Sequence, residues 1–333
     1  MTRAYAAQSP TSGLGPWTLE RRALRPDDVA IDILHCGVCH TDLHHAENDW
    51  GGTRYPVVPG HEIVGRVTAV GSEVTRYGPG DLVGVGCLVD SCRACDACEK
   101  GLEQYCLEGM VATYNGKDRH DGSTTYGGYS EHVVVSERFV LRIPDGMDPA
   151  EAAPIMCAGI TSYSPLRHFG VQPGWKVGVV GMGGLGHMGI KLARALGAHV
   201  TLFTRSEGKL EEAQRNGAEA VVVTTAPGAF RRAAGTLDFI LDTVPVEHDF
   251  NPYLECLKFD GIYVTVGQMT PVVPPLETRH LALKRRSFAG SLIGGLPETQ
   301  ELLDFCAEHG VRCDIERIRM DQINDAYARM KKG

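Results

Sequence analysis

A glycine-rich turn between an apolar run and a helix-like segment constrains the fold of this chain more than any other feature. The run Lys176–Val180 is strand-like, and the turn after it is Gly181-Met182-Gly183-Gly184-Leu185-Gly186. A G-x-G-x-x-G match is weak alone, but between a strand and a helix it predicts a dinucleotide phosphate site. In such a site Gly181 makes the turn, Gly183 lets the pyrophosphate approach, and Gly186 permits close packing of helix and strand. A glycine turn without a ligand is the alternative.

Strand-like and helix-like segments alternate along this part of the chain. The strand-like segments are Lys176–Val180, His199–Phe203, Ala220–Val223, Phe239–Thr243, Ile262–Val266 and Ser287–Ile293. The helix-like segments end near Leu196, cover Lys209–Asn216, and lie near Phe230 and near Pro252–Lys258. This alternation predicts an α/β fold of the Rossmann type, with a doubly wound parallel sheet of six strands.

The preceding part of the chain has a different pattern. Between Asp28 and about Arg142, short β-branched runs are separated by Gly, Pro and Asp, which predicts a β-rich domain with many loops. Examples are Val29–Leu34, Ile63–Val70, Leu82–Val85 and His132–Val135. The tail Pro297–Met330 has the pattern of helical segments, and we expect them to return to this domain. The expected domains therefore cover residues 1–157 with 294–333, and residues 158–293.

Four cysteines lie within one polar 15-residue segment, at Cys92, Cys95, Cys98 and Cys106. Their spacing, C-x2-C-x2-C-x7-C, lets one turn present successive sulfur atoms to a single ion, and four thiolates complete a tetrahedron. The spacing therefore predicts a structural zinc site in a solvated lobe. An iron–sulfur cluster and cysteines that merely pack together are the alternatives.

Cys39, His61 and Cys157 form a second candidate set, which is weaker because its members are far apart in sequence. Isolated residues of these types are more often buried side chains whose partners are satisfied. His61, however, lies in the pattern Gly60-His61-Glu62-x2-Gly65-x5-Gly71-x2-Val74. This pattern favours a metal site with three protein ligands, which leaves a fourth position for water or a substrate oxygen.

Together these motifs resemble the zinc-dependent medium-chain alcohol dehydrogenases, and most closely the aldehyde reductases of the cinnamyl alcohol dehydrogenase type. The resemblance extends from about Arg25 to Met330. It rests on the glycine turn, the four-cysteine segment, Cys39-His40-Thr41-Asp42-Leu43-His44, Gly60-His61-Glu62 and Cys157-Ala158-Gly159-Ile160-Thr161. The resemblance implies a GroES-like catalytic domain, a Rossmann domain that binds NADP(H), and two zinc ions per chain. It also implies that Cys39, His61 and Cys157 bind the catalytic zinc.

The same resemblance implies roles for the residues around that zinc. Thr41 beside the metal and His44 nearer to solvent would form a proton relay, with His45 as the rival for the outer position. Asp42 would orient the metal-binding histidine, and Glu62 would lie behind the zinc as an occasional ligand or an electrostatic tuner. Hydride transfer benefits because a divalent ion lowers the pKa of a bound hydroxyl and polarises a carbonyl. The implied activity is the interconversion of primary alcohols and aldehydes.

The residues after the second strand of the predicted sheet decide between NAD and NADP. An acidic residue there would bind the ribose 2′-hydroxyl and repel a 2′-phosphate. By alignment with the family, Thr204 stands where NAD-specific relatives carry the acid, and Glu207 comes one step late and is expected to point away. Thr204 and Ser206 offer hydroxyls, and Arg205 and Lys209 offer cations, which suits a phosphate. We therefore expect NADP(H).

Further cofactor contacts follow from the resemblance alone. It implies that backbone atoms at Val266, Ser291 and Ile293 hold the nicotinamide carboxamide, and that His40 reaches the pyrophosphate. The complete set of expected cofactor-binding residues is His40, Thr161, Gly181, Gly183, Gly184, Leu185, Gly186, Thr204, Arg205, Ser206, Lys209, Val266, Ser291 and Ile293.

One position departs from many plant relatives of the lignin pathway and concerns the substrate. These relatives carry a Trp two residues before the Tyr-Asn pair that is Tyr114-Asn115 here, whereas this chain carries Ala112. The smaller side chain would widen the pocket, and Trp50 would remain as one wall, with core packing as its alternative role. We expect a broad range of aliphatic and aromatic aldehydes. A zinc-dependent polyol dehydrogenase and a non-catalytic binding protein on this fold are the competing hypotheses.

Charge and composition limit the expected partners. Lys and Arg number 33 and Asp and Glu 41, and the net charge of −8 gives no general attraction to nucleic acid or to an anionic membrane. No apolar run reaches the roughly 18–20 residues of a membrane helix, and Met1–Gln8 lacks the apolar segment of a signal peptide. We expect a cytoplasmic protein whose 11 cysteines stay reduced. Besides a small-molecule substrate, the resemblance implies a second copy of the chain in a homodimer.

Overall fold

The strands lie within residues 1–267 and 270–332, the part of the chain that the computed structural model describes. They are β1 (Thr2–Ala7), β2 (Leu14–Leu19), β3 (Asp28–Cys36), β4 (Ile63–Val70), β5 (Leu82–Val85), β6 (Leu88–Asp90), β7 (Val111–Ala112), β8 (His132–Ser136), β9 (Leu141–Arg142), β10 (Lys176–Val180), β11 (His199–Thr204), β12 (Ala220–Val223), β13 (Leu237–Asp242), β14 (Leu257–Thr265) and β15 (Ser287–Gly290).

The helices complete the secondary structure of the described residues. The α-helices are α1 (His40–Glu47), α2 (Asp96–Glu99), α3 (Pro149–Ala152), α4 (Ala158–His168), α5 (Gly184–Ala195), α6 (Leu210–Arg215), α7 (Asn251–Cys256), α8 (Arg279–Ala282), α9 (Leu296–His309) and α10 (Ile323–Met330). Short 3₁₀ turns cover Glu103–Tyr105, Glu137–Phe139, Ala153–Met156, Glu207–Lys209, Ala229–Arg232 and Met320–Gln322. Across the described part of the chain, every helix is too short or too polar to cross a membrane.

Residues Ala158–Ile293 form one compact unit around a parallel sheet. Its six strands lie in the order β12-β11-β10-β13-β14-β15, and every neighbouring pair is parallel. The central strand β13 is buried along almost its whole length, as expected for a sheet covered on both faces. The strand order reverses between β10 and β13, where such folds bind dinucleotides beyond the carboxyl ends of the strands. The predicted six-stranded doubly wound sheet is confirmed.

Residues Met1–Cys157 and Gly294–Gly333 form the other unit, of which Gly333 lies outside the described residues. Its main sheet is antiparallel, with five strands in the order β8-β3-β4-β5-β9. Two smaller antiparallel pairs join β1 to β2 and β6 to β7. The β-rich part of the predicted fold class is therefore confirmed.

Local contacts define helix α1, which carries several candidate site residues. Cys39 precedes the helix in an extended conformation and donates its N–H to Asp42 Oδ2 at 3.0 Å, which satisfies one of the free donors of the first turn. The helix ends at Asn48, whose left-handed conformation (φ 59°) is common at helix ends. This short helix therefore begins directly after Cys39, a candidate metal ligand.

Three element boundaries in the second unit differ from the sequence-based prediction. The segment near Phe230 is only a 3₁₀ turn, because the left-handed glycines Gly228 and Gly235 leave little room for a longer helix. The last strand ends at Gly290, and Ile293 has a φ of 36° that no extended strand adopts. The helix predicted over Pro252–Lys258 ends at Cys256, because Leu257 is already extended and begins β14.

The first unit also contains elements that the sequence did not predict. Strands β1 and β2 have the sequences TRAYAA and LGPWTL, which lack β-branched runs and acquire their structure by pairing with each other. The tail forms separate helical segments, because Gly310 ends α9 in a left-handed conformation and α10 begins only at Ile323.

Candidate active site

Four side chains that can bind a metal converge in the first unit from distant parts of the chain. The ligand atoms of Cys39, His61, Glu62 and Cys157 all lie within 4.8 Å of one another. Cys39 precedes α1, His61 and Glu62 precede β4, and Cys157 follows the 3₁₀ turn Ala153–Met156. The sulfur atoms of Cys39 and Cys157 are 3.9 Å apart, and Cys157 Sγ lies 3.2 Å from His61 Nε2. We call these four residues the buried cluster.

The carboxylate of Asp42 contacts two residues of the buried cluster and is itself fully buried. Its Oδ1 accepts a hydrogen bond from the N–H of Gly60 at 3.0 Å and lies 3.0 Å from Nδ1 of His61. Its Oδ2 accepts the N–H of Cys39 and the hydroxyl of Tyr129, each at 3.0 Å. A carboxylate at Nδ1 favours the tautomer with its proton there, which leaves Nε2 of His61 free to bind a metal.

The buried cluster concentrates groups that become anions when they lose their protons. The neighbouring Cys157 thiol, followed by burial, raises the pKa of Cys39 well above its ordinary value. Burial, followed by the negative charge of Cys39, raises the pKa of Glu62 well above its ordinary value. Both shifts reflect the cost of placing like charges in a dry site. A divalent cation would offset this cost, so the donor set fits a metal ion.

The four predicted cysteine ligands of the polar segment also converge, and we call them the four-cysteine lobe. The sulfur atoms of Cys92, Cys95, Cys98 and Cys106 lie within 4.8 Å of one another. Cys98 Sγ is 3.8 Å from Cys92 Sγ and 3.6 Å from Cys95 Sγ. The N–H of Leu107 donates to Cys95 Sγ at 3.3 Å, and this hydrogen bond is the main reason that the pKa of Cys95 falls to about 6. A thiolate, the form that binds metals, is therefore favoured there.

Both groups have the dimensions of a tetrahedral metal site. Thiolates at the usual Zn–S distance of about 2.3 Å have sulfur atoms about 3.8 Å apart in a tetrahedron. The observed separations are 3.9 Å in the buried cluster and 3.6 and 3.8 Å in the four-cysteine lobe. Four thiolates are typical of a closed structural site, whereas two thiolates and an imidazole are typical of a catalytic site with an open position.

Helix α1 carries the predicted relay residues next to the buried cluster. Thr41 and His44 are three residues apart and therefore lie on one face of the helix, and both are partly buried. His44 Nδ1 lies 2.8 Å from Oδ2 of Asp49, which is exposed. His44 is thus joined to a carboxylate at the surface.

His45, the rival for the outer relay position, has different neighbours. Its ring meets that of Tyr114 at a centroid distance of 5.2 Å, and its Nδ1 lies 3.4 Å from Nδ2 of Asn115. Tyr114 also contacts the ring of His61 at 5.7 Å. The two adjacent histidines therefore contact different groups, one a surface carboxylate and the other a tyrosine beside the buried cluster.

The two residues predicted to line the substrate pocket have distinct surroundings. Trp50 is 47% exposed, and its ring lies 4.7 Å from that of His44 and 5.4 Å from that of His45. Ala112 is half-buried in β7, where it pairs with Leu88 of β6. The exposure of Trp50 does not favour its alternative role in core packing.

In the second unit, the glycine turn between β10 and α5 leaves space where a phosphate would lie. Gly181 has a left-handed φ of 86°, and a Cβ there would lie 2.9 Å from the side chain of Val244. A Cβ on Gly186 would lie 2.2 Å from the carbonyl oxygen of Gly181, so the helix packs closely on the turn. Among the described residues, nothing lies within 4 Å of the position that a Cβ would take on Gly183 or Gly184. The turn therefore fits a dinucleotide, with open backbone at the start of α5.

The segment after β11 carries the predicted 2′-phosphate residues. Thr204 is buried at the end of the strand, and its Oγ1 accepts the N–H of Ser206 at 3.2 Å. Lys209 Nζ lies 3.1 Å from Oε2 of Glu212, so one of the two cations has an acidic neighbour. The exposed residues of the segment are Arg205, Ser206, Glu207 and Gly208. Strand β11 thus ends at Thr204, a hydroxyl residue and not an acidic one.

The remaining predicted cofactor residues of this unit lie in two places. Val266 follows β14 and Ser291 follows β15, so both stand at the carboxyl ends of neighbouring strands. Ile293 follows shortly after Ser291. Thr161 is buried in α4. The next residue, Ser162, donates its hydroxyl hydrogen to the carbonyl oxygen of Leu185 at 2.9 Å. In the first unit, His40 is exposed, and its Nε2 lies 3.3 Å from the carbonyl oxygen of Met330.

Two contacts of the first unit were not predicted. Asp49 reaches His44 because the chain turns at the left-handed Asn48, and neither the helix periodicity nor the charge pattern indicates that turn. Tyr129 reaches Asp42 from 87 positions away in the sequence. The pair of glycines before Tyr129 is the one sequence signal for a close backbone approach at that point.

Two protein-family models match the chain. Residues 25–145 match the alcohol dehydrogenase GroES-like domain, and residues 184–308 match the zinc-binding dehydrogenase family. Together these matches cover more than half of the chain.

Known proteins are similar over almost the full length. Aldehyde reductase YahK of Escherichia coli (strain K12) is 55% identical over 332 residues, which is 99% of this chain and 94% of that protein. The NADP-dependent alcohol dehydrogenase C 1 of Mycolicibacterium smegmatis is 54% identical over 330 residues, 98% of this chain and 93% of that protein. A solved cinnamyl alcohol dehydrogenase structure from Sorghum bicolor has a TM-score of 0.96 at 45% identity and covers 99% of this chain and 94% of its own.

Proposed function

The chain belongs to the zinc-dependent medium-chain alcohol dehydrogenases of the cinnamyl alcohol dehydrogenase and aldehyde reductase type, and on this premise we propose that it interconverts primary alcohols and aldehydes with NADP(H). The substrates would include aliphatic and aromatic aldehydes. This breadth is supported by Ala112, which removes a bulky aromatic side chain from one side of the pocket, while Trp50 stays as an exposed aromatic wall.

The observation that carries the proposal is the convergence of the buried cluster. It supports Cys39, His61 and Cys157 as the ligands of the catalytic zinc, with Glu62 close enough to replace or tune a ligand. A zinc ion bound there would supply a Lewis acid that polarises a carbonyl and stabilises an alkoxide, and NADPH would supply the hydride. Asp42 holds His61 in the tautomer with an unprotonated Nε2.

We assign proton movement between this site and solvent to Thr41 and His44. A hydroxyl both donates and accepts, and an imidazole can take up a proton on one nitrogen and release it from the other. Asp49 accepts the Nδ1 proton of His44, so that Nε2 is the nitrogen available for exchange toward the site. This proposed relay leads from two partly buried residues, Thr41 and His44, to the exposed Asp49, as proton exchange with solvent requires.

The second unit supports NADP(H) as the coenzyme. The open backbone at Gly183 and Gly184 would accept the pyrophosphate, with Gly181, Leu185 and Gly186 shaping the turn. Thr204, Arg205, Ser206 and Lys209 would hold the 2′-phosphate through hydroxyls and cations. The backbone at Val266, Ser291 and Ile293, together with Thr161 and His40, completes the proposed set of cofactor-binding residues.

We further propose two zinc ions per chain, a homodimer and a cytoplasmic location. The four-cysteine lobe supports the second zinc. Strand β15 supports the dimer, because it is an edge strand of its sheet and a second copy could pair with it. The many cysteines with ligand roles need a reducing compartment to stay as thiols, which supports the cytoplasm.

Metal content and coenzyme binding test the proposal together. We expect two zinc ions per chain by elemental analysis, and tighter binding of NADPH than of NADH by fluorescence titration. NADPH absorbance should fall when benzaldehyde is added, and removal of zinc should stop this loss. Absence of any zinc-dependent oxidation of NADPH by aldehydes would contradict the proposed activity.

A substitution at Thr204 tests the coenzyme assignment separately. Thr204→Asp places a negative charge beside the 2′-phosphate and should weaken NADPH binding by roughly 10–100-fold, with little effect on NADH. Thr204→Ser keeps the hydroxyl and is the matched control. Equal weakening in both variants, or preference of the wild type for NADH, would contradict the 2′-phosphate site and leave the dehydrogenase assignment intact.

A further inference from the structure

The Asp42 carboxylate is a buried anion that is held entirely by hydrogen-bond donors. The two oxygens each have two donors, which are the N–H groups of Cys39 and Gly60, the ring of His61 and the hydroxyl of Tyr129. Removing one of these donors destabilises a buried carboxylate more than an exposed one, because no water replaces the lost hydrogen bond.

The backbone around Tyr129 is fixed against the segment that leads into His61. Three backbone hydrogen bonds join the two segments, from Gly127 N–H to the Val58 carbonyl at 2.8 Å, from Gly128 N–H to the Gly60 carbonyl at 2.8 Å, and from Tyr129 N–H to the Pro59 carbonyl at 3.0 Å. The backbone of Tyr129 is thus held against the segment that leads into His61, one of the proposed metal ligands.

Glycines make this close approach possible. A Cβ on Gly127 would lie 2.3 Å from the carbonyl oxygen of Pro59. Gly60 has a φ of 100°, and a Cβ there would lie 2.8 Å from the ring of Tyr129. Larger residues at these positions would move the two segments apart and take the hydroxyl of Tyr129 away from Asp42.

Tyr129 has the properties of a permanent donor. The residue is only 1% exposed. Burial, followed by the negative charge of Asp42, raises the pKa of its hydroxyl well above the ordinary value. The hydroxyl therefore keeps its proton at neutral pH and can donate to Asp42 Oδ2.

We propose that Tyr129 is a positioning residue for the metal site. Its hydroxyl shares Oδ2 of Asp42 with the N–H of Cys39, while Oδ1 of the same carboxylate holds His61. Tyr129 thereby stops the carboxylate from rotating and holds both the Cys39 backbone and the His61 ring in place, so that the two residues can act as zinc ligands. This inference rests on the zinc assignment of the proposed function.

The test compares two tyrosines of the same apolar core, each converted to phenylalanine. Tyr129→Phe removes one of the four donors to Asp42 and keeps the ring. Tyr327→Phe is the matched control, because that hydroxyl is buried in the same core and is not among the four donors to Asp42 in the described part of the chain. Zinc release from the holoenzyme to a chromophoric chelator is measured, with the zinc ions per chain counted by native mass spectrometry. We expect one zinc of Tyr129→Phe to be bound about tenfold more weakly than in the wild type, and no change in Tyr327→Phe.

A second readout separates positioning from a general loss of structure. After exchange of zinc for cobalt, the visible absorption of the buried cluster reports ligand geometry, and we expect Tyr129→Phe to shift it. Replacing Tyr129 by 4-aminophenylalanine restores an N–H donor and should restore both the spectrum and the metal affinity. The proposal is wrong if Tyr129→Phe retains wild-type affinity, if both phenylalanine variants lose zinc equally, or if the restored donor has no effect.

A separate variant distinguishes failure of this inference from failure of the proposed function. Cys157→Ala should remove the same zinc ion whose affinity Tyr129→Phe reduces. An unchanged zinc count in Cys157→Ala would overturn the zinc assignment of the buried cluster and, with it, the role of Tyr129. Loss of that zinc in Cys157→Ala, together with an unaltered Tyr129→Phe, would overturn the role of Tyr129 alone.

Discussion

The buried cluster and the four-cysteine lobe are two groups of four side chains that can bind a metal, with almost the same size and opposite construction. The lobe takes all its ligands from one segment of 15 residues and is partly exposed. The buried cluster takes its ligands from three segments of the first unit, and Cys157 is 118 positions from Cys39. Its residues are also linked by Asp42 to the start of a helix and to a distant tyrosine.

The difference in construction matches a difference in chemistry. The lobe offers only thiolates, and a backbone N–H already stabilises Cys95 as an anion. The buried cluster mixes thiol, imidazole and carboxyl groups. The raised pKa values of Cys39 and Glu62 mean that the thiol and the carboxyl keep their protons until a cation is present. A local all-sulfur site can stabilise a fold, whereas a mixed buried site beside a hydroxyl and an imidazole can act on a substrate.

The largest effect that would test this contrast is expected for Cys157→Ala. Removing a ligand of the buried cluster should leave one zinc per chain, in the lobe, and lower kcat for aldehyde reduction by roughly 10³-fold, because a Lewis acid contributes several kcal/mol to such a reaction. Elemental analysis and steady-state kinetics measure the two outcomes. A variant that retains two zinc ions and near-normal kcat would show that the two sites have been assigned incorrectly.

The metal-free protein should reveal the electrostatic difference directly. At pH 7 a thiol with a pKa of about 6 is mostly thiolate, so Cys95 should react with iodoacetamide at least about 30-fold faster than Cys39, whose pKa is raised and whose site is buried. Chelator-treated protein is alkylated for increasing times and the modified peptides are quantified by mass spectrometry. Similar rates at the two cysteines would contradict the contrast.

Loss of the lobe metal should affect stability more than chemistry. Cys98→Ser should remove the other zinc and cost about 3 kcal/mol, which lowers the midpoint of thermal unfolding by roughly 6–12 °C for a unit of this size. The kcat per correctly folded chain should stay within about twofold of the wild type. A loss of kcat as large as that of Cys157→Ala, at unchanged thermal stability, would mean that the lobe takes part in catalysis.

The smallest effect is expected at the surface end of the relay. Asp49→Asn removes the charge that His44 contacts and should lower kcat about threefold to tenfold, less than loss of a direct proton-transfer group. The zinc count and KM for the aldehyde should not change. Glu47→Gln, which alters a nearby acidic residue that pairs with Lys331, is the control. An equal effect in both variants would attribute the change to surface charge and not to the relay.

The two regions also differ in how much the sequence could predict. The spacing of Cys92, Cys95, Cys98 and Cys106 is a local property, and the structure brings all four sulfur atoms together. The alternation after Lys176 predicted the parallel sheet, because a strand, a helix and the next strand can form only a few arrangements. The predicted start of strand β14, at Ile262, was wrong, and the strand begins at Leu257. Leu257 pairs with β13, and this pairing is set by the partner strand and not by local preference.

The sequence by itself determined the family, the β-rich and Rossmann parts of the fold, and the ligands that lie close together along the chain. These features depend on local periodicity and on short spacings, which each segment carries independently. Only the tertiary structure decided that Asp42 accepts four donors, that Asp49 contacts His44, and that Tyr129 is one of the donors to Asp42 beside the buried cluster. Such contacts depend on the folded path of the chain and on the burial of polar groups, which acquire their partners only when distant segments pack together.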